Sequence, residues 1–201
     1  EPRYWLVFVA FGLMCGIGLE VSNQLSVLAT KIRWDCDDAV AYFAVGNSSS
    51  RVLVGAFSDM LARWVSKSSI FVFFGWVMCL GLMLIIVSPE SPGLTKTGIV
   101  LCGFSFGPPW MLVPALEMEW YGEKHFGRIH GVMMFAAVTG CTLLTVCASF
   151  FRLAAVLAAM LALLLASCLA MTAAACAGTL QHVAPRRHIQ EPTNAVIAVA
   201  D

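Results

Sequence analysis

Residues 68–89 read SSIFVFFGWVMCLGLMLIIVSP and contain no Asp, Glu, Lys or Arg. An α-helix needs about 20 predominantly apolar residues to cross the hydrocarbon core of a bilayer, because each residue advances the helix by about 1.5 Å. The stretch between Lys67 and Glu90 meets both requirements. It predicts a membrane-spanning helix, and further spans are expected wherever the chain has uncharged stretches of similar length.

Predominantly apolar stretches of this length occupy most of the remaining chain. Two of them, residues 4–28 and 39–61, are interrupted by polar or charged residues such as Glu20 and Arg51. The predicted spans are residues 4–28, 39–61, 68–88, 96–117, 128–150 and 153–178. The predicted fold class is therefore an all-α membrane protein with six transmembrane helices, in which residues 1–180 form the bundle and residues 181–201 form a polar cytoplasmic tail.

The composition agrees with a chain that lies in a membrane. Of its 201 residues 60% are hydrophobic and only 12% are charged, whereas soluble domains contain roughly 25% charged residues. Lys+Arg and Asp+Glu both number 12, so no excess of positive charge indicates a nucleic acid partner. The eight cysteines show no metal-binding or disulfide spacing, and we predict neither a metal nor a cofactor.

Lys and Arg in the short connections predict the orientation of the bundle, because they are more abundant on the cytoplasmic side of a membrane. With six spans, one side holds Arg3, Arg63, Lys67, Lys124, Arg128, Arg186 and Arg187. The other side holds Lys31, Arg33, Lys96 and Arg152. This difference predicts that both termini are cytoplasmic, and it does not indicate which membrane holds the protein.

The connection after the second predicted span reads GAFSDMLAR over residues 55–63 and follows Arg51. This segment resembles the signature of the major facilitator superfamily. The signature consists of a glycine, an acidic residue four positions later and a basic residue after it, here Gly55, Asp59 and Arg63. In that family the signature lies between helices two and three and recurs between helices eight and nine. Asp59 near a helix end would act as a latch by pairing with a basic group on a neighbouring helix.

Two further segments resemble the same family. Residues 123–131 read EKHFGRIHG and resemble the E-x-F-G-x-x-x-G pattern that begins helix eleven in many members, including the nodulin-like and the oxalate/formate or monocarboxylate-like branches. One extra residue separates Glu123 from the phenylalanine. In helix ten the family often has Gly and Pro breaks, and the fourth predicted span contains Gly107, Pro108, Pro109 and Pro114.

The resemblance implies that this chain corresponds to helices seven to twelve, the C-terminal half of such a transporter, and that the N-terminal six-helix half is missing from it. The implied function is secondary active transport of a small-molecule substrate by alternating access, with no enzymatic activity. The alternative is a truncated or non-transporting six-helix membrane protein that acts only as a structural or interaction partner.

Four polar residues inside the predicted spans are candidates for a substrate or proton path. Glu20 is an acid well inside the first span, and Asn23 and Gln24 follow it by about one helical turn. A carboxylate in this environment either is functional, lies near the outer interface, or pairs with another group such as Arg51 or a residue of the missing half. Arg51 itself either contacts an anionic substrate or belongs to the signature latch, and the spacing favours the latch.

Candidates for helix breaks and gates lie nearer the second half of the chain. They are Gly107, Pro108, Pro109, Pro114, Glu123, Gly127 and Gly131. Gly107 follows Gly103 and Gly131 follows Gly127 at the four-residue spacing that lets helices pack closely, as Gly16 follows Gly12. Glu117, Glu119 and His130 near the ends of their spans are interpreted as surface or gate residues.

Overall fold

The computed structural model describes residues 1–61 and 64–177, and for Asp59 and Leu61 it describes the backbone only. Arg63 and the predicted tail at residues 181–201 lie outside the described residues. The described part of the chain forms α-helices and no β-strand, which confirms the all-α prediction there. The helices are α1 (Pro2–Asn23), α2 (Leu25–Lys31), α3 (Cys36–Leu61), α4 (Lys67–Val87), α5 (Pro92–Phe106), α6 (Pro108–Tyr121), α7 (Glu123–Phe150) and α8 (Leu153–Cys176).

The helix starts follow from local chemistry. Pro2, Pro92 and Pro108 stand at the first positions of α1, α5 and α6, where a missing N–H removes no helical hydrogen bond. The Oγ of Ser66 accepts a hydrogen bond from the Ser69 N–H at 3.2 Å and so caps α4. Asp35 Oδ1 accepts from the N–H of Asp37 at 2.8 Å, and α3 therefore begins earlier than the predicted span.

Five described segments are long and apolar enough to cross a membrane: α1, α4, the continuous stretch Pro92–Tyr121, α7 and α8. The predicted second span corresponds to α3, which has the length but is not among the five. It carries Asp37 and Asp38 in its first turn and Asn47, Ser48 and Arg51 further on, and these polar groups lower its affinity for hydrocarbon. The count of six spans is thus not established by helix length and composition.

The two ends of the bundle differ in the helices that meet there. At the end that we call the Tyr4 end, the Tyr4 hydroxyl donates to the carbonyl of Ile129 at 3.2 Å, and the Arg3 guanidinium lies 5.0 Å from the centre of the Trp120 ring. At the opposite end, the Trp34 end, Lys96 Nζ lies 4.7 Å from the centre of the Trp34 ring. The contacts of Tyr4 and Arg3 therefore show that the start of α1, the end of α6 and the start of α7 lie together at the Tyr4 end.

Large apolar side chains cover much of the outside of the bundle. Val45, Phe135 and Val87 are each about two-thirds exposed, and Phe150 is 80% exposed. Water would make such a surface unfavourable, whereas hydrocarbon removes the penalty. Together with the apolar helices, this surface identifies an integral membrane protein whose chain passes through the bilayer several times.

Glycines set the closest helix contacts. A methyl group built at Gly12 would lie 2.7 Å from the Ala136 carbonyl oxygen, and one at Gly16 would lie 2.5 Å from the Gly140 carbonyl oxygen, so α1 and α7 touch backbone to backbone. Gly103 approaches the backbone of Phe43 on α3 in the same way, at 2.5 Å from its carbonyl oxygen.

The Gly127 and Gly131 pair behaves differently from the other two pairs. Neither position has a described heavy atom within 4 Å of the added methyl group. Both residues are exposed, and their four-residue spacing therefore brings no described helix close to them. The same sequence pattern thus has two different structural outcomes in this bundle.

Candidate functional site

Arg51 projects from α3 toward the start of α6 and is half-buried. Its Nε donates a hydrogen bond to Asn47 Oδ1 at 3.1 Å, and its guanidinium carbon lies 6.0 Å from the centre of the Trp110 ring. Among the described side chains no carboxylate forms an ion pair with Arg51. A cation is thus held inside the bundle by an amide and an aromatic face, with its terminal nitrogens unbonded to any described residue.

The break between α5 and α6 brings Trp110 to Arg51. Pro108 and Pro109 have no N–H, so the carbonyls of Phe104 and Ser105 cannot receive the usual helical hydrogen bonds from them. Gly107 at the break lies against the Asn47 carbonyl oxygen and Ser50 Oγ, and an added methyl group would also lie 2.9 Å from Arg51 Cγ. Only a residue without a side chain lets the two helices come this close.

Aromatic rings fix the orientation of the Trp110 indole. Its ring meets Phe11 edge to face at 5.5 Å and Phe106 edge to face at 6.5 Å between ring centres. The Trp110 Nε1 is buried and has no hydrogen-bond partner among the described residues. Pro114 lies one turn further along α6 and cannot donate to the Trp110 carbonyl. The region around Arg51 therefore contains unused polar groups at an otherwise apolar contact.

Replacing Gly107 with alanine is expected to push α6 away from α3 and to lower stability by on the order of 1–3 kcal/mol, as overpacking usually does. The measurement is the apparent Tm of the purified protein in detergent. Gly93→Ala serves as the control, because no described atom lies within 4 Å of the methyl group that it adds. Equal Tm values for the two variants would contradict the close approach at Gly107.

Glu20 lies near the end of α1 and is only 1% exposed. Gln24 Nε2 donates to Glu20 Oε1 at 2.9 Å, whereas Glu20 Oε2 has no partner among the described residues. Asn23 is exposed and forms no hydrogen bond with a described side chain, so the structure joins Gln24 to Glu20 but leaves Asn23 apart. Glu20 and Arg51 do not form an ion pair.

The signature residues follow one another along α3. Arg51 faces Trp110, and the nearest described atom to a methyl group at Gly55 is the terminal methyl of Met111 at 3.7 Å, an ordinary contact. The side chain of Asp59 and the whole of Arg63 are not described. The latch function of these residues stays a prediction.

A second polar contact lies at the Tyr4 end, between α6 and α7. The side chain of Glu117 is 1% exposed. Its Oε2 lies 2.6 Å from His130 Nδ1, so the two groups form a hydrogen bond. Glu117 Oε1 is buried without a partner among the described residues. The sequence predicted surface or gate positions for both residues and did not predict their pairing. Gly122 lies between them in the chain and has a positive φ of 70°, so the chain turns there and α7 runs back beside α6.

A surface pocket of about 480 Å³ lies at the Trp34 end, between α3 and α5. Its lining includes Trp34, Asp38, Tyr42 and Lys96. The aromatic contact of Lys96 lies in this pocket. No group of three or more His, Cys, Asp or Glu residues able to hold a metal occurs among the described residues.

No protein-family model matches the chain. Residues of this chain are 26% identical over 138 positions to YhjX of Escherichia coli strain K12, which is described as an uncharacterized MFS-type transporter; the match covers 66% of this chain and 33% of that protein. They are 24% identical over 144 positions to the probable transporter MCH1 of Candida albicans, over 71% of this chain and 30% of that protein.

The chain is similar in sequence to major facilitator-type transporters. It spans about one third of the length of each of these two relatives. Both relatives are named as transporters rather than enzymes, and this agrees with the apolar helices and with the membrane-exposed surface. The resemblance that the motifs of α3 and α7 predicted is therefore supported at the level of the superfamily.

Proposed function

We propose that this chain forms one six-helix half of a secondary active transporter that moves a small solute by alternating access. The likeness to two transporters, over about one third of the length of each, supports this proposal. On this view the chain is the C-terminal half, residues 1–180 form the bundle and residues 181–201 form a cytoplasmic tail. The solute path then lies between this half and a second bundle.

The proposal includes α3 as a sixth span. At 26 residues, α3 extends about 39 Å, which exceeds the roughly 30 Å of the hydrocarbon core. It packs against α5 and α6, which shield part of its polar surface from lipid. Six spans place the start of α1 and the end of α8 on one side, and the distribution of Lys and Arg makes the Tyr4 end the cytoplasmic one.

The observation that carries the proposal is the environment of Arg51. A guanidinium inside a membrane protein is costly and usually marks a substrate or ion pathway. Arg51 is positioned by Asn47 and Trp110, and its terminal nitrogens are not bonded to a described residue. A guanidinium binds a carboxylate through two parallel hydrogen bonds. We therefore propose a small anionic solute, in keeping with the monocarboxylate-like branch.

This assignment is tested by measuring the binding of small carboxylates to the complete protein as a shift in its apparent Tm. A stabilising shift with a carboxylate and none with a neutral sugar of similar size is expected. Stabilisation by neutral solutes alone would contradict the anionic class. Absence of any shift, together with absence of uptake, would favour a structural or interaction role for the bundle.

Glu20 is proposed as a second group on the path, nearer the Trp34 end. Its buried and half-satisfied carboxyl group is a place where a proton or a polar solute group would be stabilised. Glu20→Gln keeps the shape of the side chain but removes its charge. We expect this variant to lose at least about a hundredfold in gradient-driven uptake, the lower end of what a positioned acid or base group contributes.

The control for this prediction is Glu90→Gln, because Glu90 is exposed in the connection between α4 and α5. It should transport like the wild type in the same vesicles. Equal loss in both variants would show that the effect of Glu20→Gln comes from altered surface charge.

A further inference from the structure

The contact between Glu117 and His130 has the geometry of a shared proton site. The Oε2 of Glu117 and the Nδ1 of His130 are 2.6 Å apart, at the short end of hydrogen-bond distances. Glu117 is 1% exposed, and its Oε1 has no partner among the described residues. The histidine is thus the polar group that holds this carboxyl group inside the bundle.

The histidine lies partly at the surface of the bundle, whereas the carboxyl group is buried. The His130 side chain is 28% exposed, whereas that of Glu117 is 1% exposed. The imidazole stacks on the Phe126 ring at 5.1 Å between ring centres and with an angle of 15° between the rings. Its Nε2 forms no hydrogen bond with a described residue. A proton that arrives from outside the bundle would therefore reach the pair through the imidazole.

The other charged and titratable groups at the Tyr4 end are mostly occupied or exposed. On α1, Arg3 bonds Glu1 at 2.7 Å and covers Trp120, and Tyr4 donates to Ile129. The Asp59 side chain of α3 is not described, and α5 has no described charged group at this end. The remaining described groups are Lys67 on α4, Glu119 and Tyr121 on α6, and Glu123, Lys124, His125 and Arg128 on α7.

We propose that Glu117 and His130 form a proton-binding site that holds the ends of α6 and α7 together. This inference deepens the proposed transport function, on which it rests, by naming the proton as the coupling ion. With one proton on Nδ1 donated to the carboxylate, the pair carries one negative charge. A second proton taken from water onto Nε2 makes an imidazolium, and the pair becomes neutral. No other bond is made or broken.

The charge of the pair determines whether it is stable in the closed arrangement. A buried carboxylate beside an imidazolium is compensated, whereas the same carboxylate beside a neutral imidazole leaves a net charge in an apolar contact. Proton binding therefore stabilises the packed ends of α6 and α7, and proton release favours their separation. Coupling of this kind shifts the population of two conformations, which alternating access requires.

The test is hydrogen–deuterium exchange of the complete protein in nanodiscs at several values between about pH 5 and pH 8, the range in which histidines commonly titrate. After correction for intrinsic exchange, peptides covering residues 112–131 should become severalfold less protected as the pH rises. Glu117→Gln and His130→Gln should abolish this pH dependence. Glu119→Gln, a change on the exposed surface of the same helix, should keep it.

Unchanged pH dependence in both Glu117→Gln and His130→Gln would overturn the proton site, and the second variant decides the matter where the first does not fold. Uptake with and without a proton gradient separates this inference from the transport proposal. Proton-driven uptake that survives both substitutions refutes the site and leaves transport standing. The expected exchange pattern without uptake of any solute refutes transport and leaves the proton site standing.

Discussion

Gly140→Ala is expected to lower the apparent Tm of the protein by several degrees, because it separates the two most extensively packed helices, α1 and α7. A methyl group at Gly140 would overlap the carbonyl oxygen of Gly12 and lie 3.0 Å from its Cα. Backbone atoms cannot move aside as a flexible side chain does. The helices must shift, at a cost on the order of 1–3 kcal/mol. Thermal unfolding in detergent measures the change.

Gly131→Ala is the matched control, since Gly131 lies in the same helix and no described atom is within 4 Å of its added methyl group. Removing a glycine from a helix interior stabilises the helix by roughly 0.5–1 kcal/mol. The control should therefore have an unchanged or slightly raised Tm. If the two alanine variants melted together, the contact between α1 and α7 would not be the one that the structure shows.

Arg51→Gln is expected to reduce uptake and binding of a small carboxylate by about a hundredfold. Removing one partner of a desolvated, hydrogen-bonded charge pair costs about 2–5 kcal/mol. Arg51→Lys keeps the charge but loses the planar pair of donors, and it should recover only part of the affinity. Initial rates and solute affinities of the three proteins, measured in the same vesicles, test the prediction.

Arg128→Gln is the control for the loss of one positive charge. Arg128 is exposed in the second turn of α7, and its replacement should change uptake by less than about twofold, as exposed charges contribute little. Full activity of Arg51→Gln would show that Arg51 belongs to the signature latch or to packing rather than to the solute path.

Uncharged stretches predicted the helices with the simplest surroundings. Predicted span 68–88 corresponds to α4 (Lys67–Val87), and predicted span 153–178 corresponds to α8, which ends at Cys176. These segments are apolar along their whole length, so composition alone determines them. The helical character of these segments could therefore be predicted without knowledge of their contacts.

Breaks inside the spans were harder to predict. Predicted span 4–28 becomes α1 and the short α2, which meet at Gln24, where the backbone leaves the helical conformation with φ −95° and ψ 3°. Predicted span 96–117 lies across α5 and α6, which separate at Gly107. Hydropathy does not register such breaks, because it counts side chains and not the backbone hydrogen bonds that proline removes.

In the candidate site, a contact within one helix could be predicted from the sequence, whereas contacts between helices could not. Glu20 and Gln24 are four residues apart on one helix, and their hydrogen bond follows from that spacing. The contacts of Arg51 with Trp110 and of Glu117 with His130 join different helices. No spacing in the sequence predicts them, because they depend on which helices pack together and at what height.

Uptake by proteoliposomes that contain the complete protein decides whether it transports a small anionic solute. The assay compares small carboxylates with neutral solutes, with and without a proton gradient, for wild type and Arg51→Gln. We expect carboxylate uptake that the gradient accelerates and that Arg51→Gln removes. Vesicles that take up no solute under either condition, while the protein remains folded, would contradict transport and favour a non-transporting membrane protein.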